Sequence, residues 1–600
     1  MRRIGRFFLW VFTIIGILTA ATFVSAGIWF ALVDDDAPEL PERMVLSLDL
    51  NKGVTEVKSG GPFGFLSRGP GPVSIREFLS ALEKAETDDR VAGLAVRLGG
   101  TGVSLAQAQE LRDAVAKFRK SGKSAVAFAT SFASTGGATV EYYLATAFDT
   151  IWMQPSGELA ITGISLELPF AAEALEKVGV EAKIRQREEF KSAPETFMRR
   201  SLSKPARQNL QAVVDTWLAQ IVDGIAKGRN LPVATARQAI DTSPLLAQEA
   251  RARGLIDTLD YWPAFVSTAH KRAGGKENLV SLASYIAEGD LPNSEGPTVA
   301  LIHGVGPIVS NKPKGSPFDD RSYLAADAME AAIVKAVNDT NIKAILLRLD
   351  SPGGSYVASD TVWNAVIRAR ELGKPVIVSM GSTAASGGYF IAMAADVIVA
   401  QPGTLTGSIG VYGGKFVTAG LWEKLGVNWQ DVHAGKNATM WSPFQDYPDS
   451  AQARLDAHMD FIYRDFTGKV AERRKLDDKQ IDAVARGRIW SGARALNAGL
   501  VDRLGGLTEA VAAVKEALDL KPDVSVQLQE FPRRKLPFER LLEFVAGETE
   551  NISVAAVDML GLGGFFADAL KDRLEPLVGG LDLLQPPVGR LQLPPMRLHY

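Results

Sequence analysis

The chain has 600 residues, long enough for about four domains at ~150 residues each, with 46% hydrophobic and 22% charged residues. That is ordinary globular composition, so a collagen-like, mucin-like or wholly disordered chain is excluded. The net charge of −3 leaves no global basic field to gather polynucleotide, and the lack of cysteine rules out disulfides, thiolate nucleophiles and cysteine-ligated zinc.

Three arginines, Arg2, Arg3 and Arg6, precede residues 7–33, a run of 27 residues without a charge that ends at Asp34-Asp35-Asp36. At ~1.5 Å per residue a helix of this length reaches ~40 Å, enough to cross a bilayer with tilt. One transmembrane helix is expected there. The arginines place the N-terminus in the cytoplasm and everything beyond residue 34 outside. A cleaved signal peptide ending near Val24-Ser25-Ala26 is the alternative, but the apolar run continues through residues 28–33.

The rest of the chain repeats itself. Residues 91–98 (VAGLAVRL) match 342–349 (IKAILLRL) and Gly122-Lys123 matches Gly373-Lys374, both 251 residues apart. Residues 149–155 (DTIWMQP) match 396–402 (DVIVAQP), and 176–180 (EKVGV) match 423–427 (EKLGV), at an offset of 247. Residues 252–257 (ARGLID) match 497–502 (NAGLVD) at 245. A preserved order with small indels marks a duplication. The domains are therefore set at 1–43 (cytoplasmic stub, anchor and linker), 44–295 (first repeat), 296–540 (second repeat) and 541–600 (a C-terminal extension of unknown role).

Within the repeats, short Val/Ile/Leu runs at 299–302, 344–349, 376–380 and 397–400 alternate with helix-period segments such as 359–372, apolar at Val362, Ala365, Val366 and Ala369. Buried parallel strands linked by helices, an α/β architecture of the βαβ type, are expected. Residues 310–321, rich in Pro, Lys, Gly and Asp, read as a mobile surface loop. The last twenty residues, with Pro586, Pro587, Pro594 and Pro595, read as lying outside the core.

Two Gly-rich turns follow strand-like runs in the second repeat, Ser351-Pro352-Gly353-Gly354 and Ala384-Ala385-Ser386-Gly387-Gly388-Tyr389. Neither has the spacing of a nucleotide-binding loop. A serine between small residues at a strand-to-helix turn can present its Oγ to a substrate, with backbone N–H groups near a developing oxyanion; a plain tight turn is the bland reading. None of the five histidines, His270, His303, His433, His458 and His599, has a recognisable partner, and His303 reads as a satisfied core or edge residue. A lysine can activate Ser386 instead, provided burial lowers its pKa by ~3 units from ~10.4.

These turns, together with Leu405-Thr406-Gly407-Ser408-Ile409-Gly410 and Phe190-Lys191-Ser192-Ala193-Pro194-Glu195, closely resemble the long, duplicated, membrane-anchored form of peptidase family S49, the signal peptide peptidase A family. The resemblance covers most of the chain and fades beyond about residue 540. It implies two tandem ClpP/crotonase-like repeats and a Ser/Lys dyad, with Ser386 as nucleophile from the second repeat and Lys191 as general base from the first. It further implies Ser408 as the hydroxyl that orients the lysine and Gly353 and Gly387 as backbone oxyanion donors. Signal peptides as substrates, periplasmic catalytic domains on the inner membrane, and a homotetramer are implied as well.

The repeat alignment agrees with a single shared site. Thr139 stands opposite Ser386, and Val140-Glu141 opposite Gly387-Gly388, so the first repeat lacks the nucleophile turn; Gly100-Thr101-Gly102-Val103 faces the Ser351 turn. The counterpart of Lys191 is Ala438, with Lys436 close enough to be the alternative base. Two rival readings stand beside this one: an inactive membrane-anchored scaffold, and a crotonase-like acyl-CoA enzyme, for which Asp350 is the only nearby acid and a turn-capping role is the usual one. No metal or other cofactor is expected, and chelators are expected to leave activity intact.

Overall fold

The computed structural model describes residues 40–57, 71–100, 102–133, 138–275, 278–288, 295–312 and 322–531, and the backbone of two short strands in the C-terminal extension. The expected membrane span at 7–33 and most of the expected loop at 310–321 lie outside the described residues. Among the described residues no helix is long and apolar enough to cross a membrane.

The first repeat is built on a parallel sheet. Its strands are β1 (Met44–Asp49), β2 (Val91–Leu98), β3 (Ser124–Ala129) and β4 (Thr150–Met153), extended by the short β6 (Thr258–Leu259) and β7 (Leu279–Ser281), in the order β6-β4-β3-β2-β1-β7. Helices α1 (Ile75–Thr87), α2 (Leu105–Lys120) and α3 (Thr139–Ala145) connect them; a projecting strand β5 (Glu181–Arg187) and the long α4 (Lys204–Arg229) follow. Ser74 and Ser104 start α1 and α2 with capping boxes to Glu77 and Gln107, which satisfies N-terminal N–H groups and fixes where each helix begins.

The second repeat restates this plan. Strands β8 (Thr298–Val305), β10 (Ile342–Ser351), β12 (Val376–Ala385), β13 (Val397–Ala400), β17 (Arg503–Leu504) and β18 (Gln527–Phe531) correspond in order to those of the first. The sheet is widened beside β12 by β14 (Leu405–Gly407) and β16 (Ile489–Ser491). The short β9 (Ile308–Val309) and β11 (Gly353–Ser355), and β15 (Val411–Val417), belong to a separate sheet described below. The helices are α5 (Ala326–Asn338), α6 (Tyr356–Glu371), α7 (Gly387–Ala392), α8 (Asp449–Arg474) and α9 (Leu507–Ala517). Strand β10 is buried along nearly its whole length, as the near-continuous apolar run requires of a strand covered on both faces. Helix α6 begins three residues before the expected 359, because Ser355 caps it and Tyr356 and Ala358 add to its buried face.

The two sheets are stacked rather than strung apart. Helices α1 and α2 of the first repeat pack between its own sheet and the second, so Leu82, Leu111 and Val115 share one core with Leu301, Leu346 and Ile377. The other face of the second sheet is covered by α5, α6, α7 and α8.

The third sheet joins the repeats. In it lie the strand Leu324–Ala325, β9, β11, a C-terminal strand β19 (Arg590–Gln592), β15 and β5, in that order. Strand β5 runs antiparallel along all of β15, from Val411↔Arg187 to Val417↔Glu181. A second C-terminal strand, β20 (Arg597–His599), pairs with Ser165–Glu167. Proline content puts the tail outside the core, yet two of its pieces enter β-structure: backbone N–H and C=O groups pair with any exposed edge whatever the proline content nearby.

Candidate active site at the repeat junction

Strand β12, whose register with β10 shifts between Met380 and Ala384, ends at Ala385 and the chain turns sharply at Ser386, whose φ of 55° and ψ of −112° are costly for a residue with a side chain. The turn is held from both sides. The Ser386 N–H donates to Gly407 O at 2.7 Å, and the Ser386 carbonyl accepts from Phe390 N–H at 2.8 Å as α7 begins. This points Oγ away from the strand and out of the helix.

Lys191 arrives from the other repeat. The pairing of β5 with β15 carries the chain past Glu188 and Glu189, and Phe190 N–H then donates to Arg486 O at 3.1 Å. The Arg486 guanidinium binds the Glu189 carboxylate at 3.0 Å, and Arg488 lies 4.0 Å over the Phe190 ring. Between these two arginines sits Gly487, at φ +84°; a Cβ there would lie 2.6 Å from Lys191 Cα, so only glycine lets the lysine backbone approach.

Lys191 Nζ is 2.7 Å from Ser386 Oγ, 2.9 Å from Ser408 O and 2.9 Å from Ser408 Oγ. Lys191 is 1% exposed and Ser386 is fully buried. Burial drives the Lys191 pKa well below the usual lysine range, because the ammonium loses its hydration. Ser408, like Ser386, adopts a positive φ, 52°, which turns both its oxygens toward the amine; its own N–H is anchored on Arg488 O at 2.6 Å.

The turns with Gly353 and Gly387 converge. A Cβ on Gly387 would lie 3.1 Å from Gly354 N and 2.6 Å from Ser359 Oγ, so α7 starts directly against β11. Gly353 N–H donates to Ser351 Oγ over a long 3.2 Å.

The other residues that the sequence singles out fall elsewhere. Lys436 is exposed, whereas Lys191 is buried beside the serine. Thr139 heads α3 as Ser386 precedes α7, but its hydroxyl donates to Gly163 O at 2.9 Å and accepts from Gly163 N–H at 3.1 Å. The expectation of a satisfied histidine at His303 fails: neither ring nitrogen meets a hydrogen-bond partner among the described residues, and burial pushes its pKa down to about 4. Asp350 accepts from Thr383 N–H at 2.9 Å, and burial raises its carboxyl to about 7.

Three supports are invisible in the sequence. Gly487 makes room for Lys191, as above. Asn209 on α4 of the first repeat bonds both backbone groups of Ile489, donating to its O at 3.0 Å and accepting from its N–H at 2.8 Å, and so fixes the strand that follows Arg488. Arg348 on β10 binds Glu56 at 2.8 Å and Glu110 at 2.7 Å, all three nearly fully buried. Burial by itself raises the Glu56 carboxyl, but the Arg348 guanidinium overrides this and holds it below the usual range, while for Glu110 burial prevails and raises it. No local motif surrounds any of these residues; each acts through contacts with distant chain.

The peptidase family S49 model matches residues 117–276 and 368–521, together just over half of the chain and falling in both repeats. The chain belongs to peptidase family S49. The S49 assignment agrees with relatives matched over more than two thirds of their length. Protease 4 of Haemophilus influenzae is 30% identical over 478 residues, covering 76% of this chain and 75% of that protein. The chloroplastic serine protease SPPA of Arabidopsis thaliana is 30% identical over 469 residues, covering 77% and 68%. Protease 4 of Salmonella typhi is 29% identical over 519 residues, covering 83% and 82%.

Proposed function

We propose that this S49 peptidase is a membrane-anchored serine endopeptidase that uses Ser386 as nucleophile and Lys191 as general base to digest signal peptides left in the membrane after preprotein processing. The observation that carries the reading is the buried Lys191 Nζ at 2.7 Å from Ser386 Oγ. A neutral amine has two N–H donors and one lone pair. Ser408 O and Oγ take the two donors, which leaves the lone pair for the Ser386 hydroxyl proton. Ser408 is thus a positioning residue.

In the first step Oγ attacks the peptide carbonyl carbon while Lys191 accepts the serine proton. The oxyanion is received by the N–H groups of Gly353 and Gly387, the long bond from Gly353 to Ser351 Oγ being the one it displaces. Lys191 then returns the proton to the leaving amine, and an acyl-enzyme forms. Water, deprotonated by the same lysine, releases the acid and restores the serine. Because the base works only when neutral, activity rises with pH through the lowered Lys191 pKa.

The uncharged run at residues 7–33, bracketed by arginines and aspartates, supports an anchor in the plasma membrane with the N-terminus in the cytoplasm and the repeats outside. Tethering there raises the effective concentration of hydrophobic peptides released at the same surface. Assembly as a homotetramer completes the reading. The test is cleavage of a synthetic signal peptide by the detergent-solubilised chain. Ser386→Ala and Lys191→Ala should abolish turnover while Lys436→Ala retains it. An active Lys191→Ala variant would place the base elsewhere.

A further inference from the structure

Strands β10 and β12 pair in step as far as Leu349↔Met380, and the next pair is Ser351↔Ala384. One residue of β10, Asp350, therefore stands against three of β12, Gly381, Ser382 and Thr383, and β12 bulges there. The bulge takes Thr383 out of the ladder with β10. The Asp350 side chain fills the gap, its Oδ1 accepting the Thr383 N–H at 2.9 Å. On the other side of β10 the Asp350 carbonyl accepts from Gly306 N–H, also at 2.9 Å.

The rest of the bulge is held by both repeats. Gly381 O accepts from the Thr404 hydroxyl at 2.7 Å, and Ser382 Oγ lies 2.7 Å from Oγ of Ser104, which caps α2 in the first repeat. A Cβ on Gly381 would lie 3.1 Å from Asp350 Cγ and 3.3 Å from Glu56 Oε1, so the Asp350 carboxyl rests on bare backbone with Glu56 beside it. Glu56 and Arg348 are the charged groups that face it, and His303 stands in register with Arg348 on β8.

Thr383 lies three residues before Ser386, and Asp350 three residues before Gly353. Their hydrogen bond thus ties together the two branches of the site just upstream of each. The first repeat shows what the sheet needs without chemistry. Its β2 and β3 pair without a shift through Leu98↔Ala129, the counterpart of Leu349↔Met380 at the offset of 251, and Gly99 stands where Asp350 does. The sheet itself requires neither the bulge nor the carboxyl.

We propose that Asp350 is a positioning residue: by accepting the Thr383 N–H across the bulge, it sets the distance between Ser386 Oγ and the oxyanion donor on Gly353. It rests on the peptidase reading above for what is positioned, though not for the latch itself. The amide needs a lone pair rather than a charge, so an uncharged acceptor of the same shape serves as well.

The experiment compares the detergent-solubilised full chain with Asp350→Asn, Asp350→Ala and Asp350→Ser, the last two too short to span the bulge, each checked for folding by its thermal melt. With a fluorogenic apolar peptide, the Ala and Ser variants should lower kcat about 100-fold with KM within about twofold, as for a reacting group displaced by ~1 Å, while Asp350→Asn keeps kcat within about threefold. An undiminished kcat in Asp350→Ala, a loss in Asp350→Asn as large as in Asp350→Ala, or a loss confined to KM overturns the proposal. Failure of both short variants to fold overturns it as well, since Asp350 would then serve the sheet alone. Hydrogen exchange gives a readout without catalysis: the amides of residues 381–386 should exchange at least about tenfold faster in Asp350→Ala than in the wild type or Asp350→Asn. If that difference appears while no protein hydrolyses peptide, the latch stands and the peptidase reading falls. If the wild type hydrolyses peptide and the exchange difference is absent, the latch alone falls.

Discussion

The two repeats keep the same scaffold contacts and differ around Ser386 and Lys191. Tyr142 on α3 donates to Leu255 O at 2.7 Å, and Tyr389 on α7 donates to Leu500 O at 3.0 Å. Asp149 accepts from Ala125 N–H and pairs with Arg119; Asp396 accepts from Val376 N–H and pairs with Arg370. Arg229 grips Asp257 as Arg474 grips Asp502, each at 2.6 Å. Helices α4 and α8 are both 26 residues long.

Against this sameness, Ser386 is replaced by a Thr139 committed to Gly163, and β15, buried throughout, corresponds to the mostly exposed strand Ser165–Glu167. Strand β5, which delivers Lys191, has as its counterpart the exposed, strandless segment 428–434. A scaffold contact is needed in each copy because each sheet must stand. Under the dyad proposed above, a nucleophile and its base are needed once, so each copy was free to lose one of them.

The widest gap between the repeats is expected in catalysis. Ser386→Ala and Lys191→Met should each lower kcat for peptide hydrolysis by at least about 10⁴-fold. Thr139→Ala and Lys436→Ala should leave kcat per folded molecule within about twofold, since neither side chain reaches the site. Equal losses in both pairs would mean two sites rather than one.

The next gap is in stability, at one pair of aligned arginines. Arg348 is 2% exposed and binds two buried carboxylates of the first repeat, whereas Arg97 is 37% exposed and stands 3.8 Å from Asp49. Arg348→Met leaves Glu56 and Glu110 uncompensated and should cost about 3–5 kcal/mol in denaturant unfolding. Arg97→Met should cost no more than about 1 kcal/mol. Similar values would show that the buried cluster does not hold the repeats together.

A smaller effect has the opposite sign. Lys191 is charged in the unfolded chain but held toward the neutral form when folded, so the unfolded state binds more protons between the lowered pKa and the ordinary lysine value. The wild type therefore gains stability as pH rises through that window. Lys191→Met should be more stable than wild type at neutral pH, with the advantage shrinking toward about pH 10.5. A pH-independent difference would argue against a desolvated lysine. The matched tyrosines sharpen the comparison further: Tyr142→Phe and Tyr389→Phe should each cost about 1–3 kcal/mol, and similarly, because each strands one buried carbonyl.

Much of the scaffold is legible in the chain itself. The apolar run 344–349 reads as a strand buried on both faces, and the offset of 251 shared by the first two matches predicts matching helices, observed as α1 with α5 and α2 with α6. The turn at Ser386 is legible for the same reason, since small residues and paired glycines after a strand leave few other conformations. His303 is not, because an apolar neighbourhood in sequence says nothing about whether a hydrogen-bond partner stands across from it. Nor is the pairing of the tail, because strand pairing is made by backbone, and composition does not report which edge is open.

By itself, then, the sequence determined a duplicated α/β chain with one Gly-rich strand-to-helix turn at Ser386, because strand burial, helix period and turn chemistry are local properties written within a few residues. Only the tertiary structure decided that Lys191, 195 residues from Ser386, becomes its neighbour. The strand pairing of β5 with β15 and the bare backbone of Gly487 bring it there, and burial at that place lowers its pKa. A lysine's basicity depends on what surrounds it, and its surroundings exist only once the two repeats have packed.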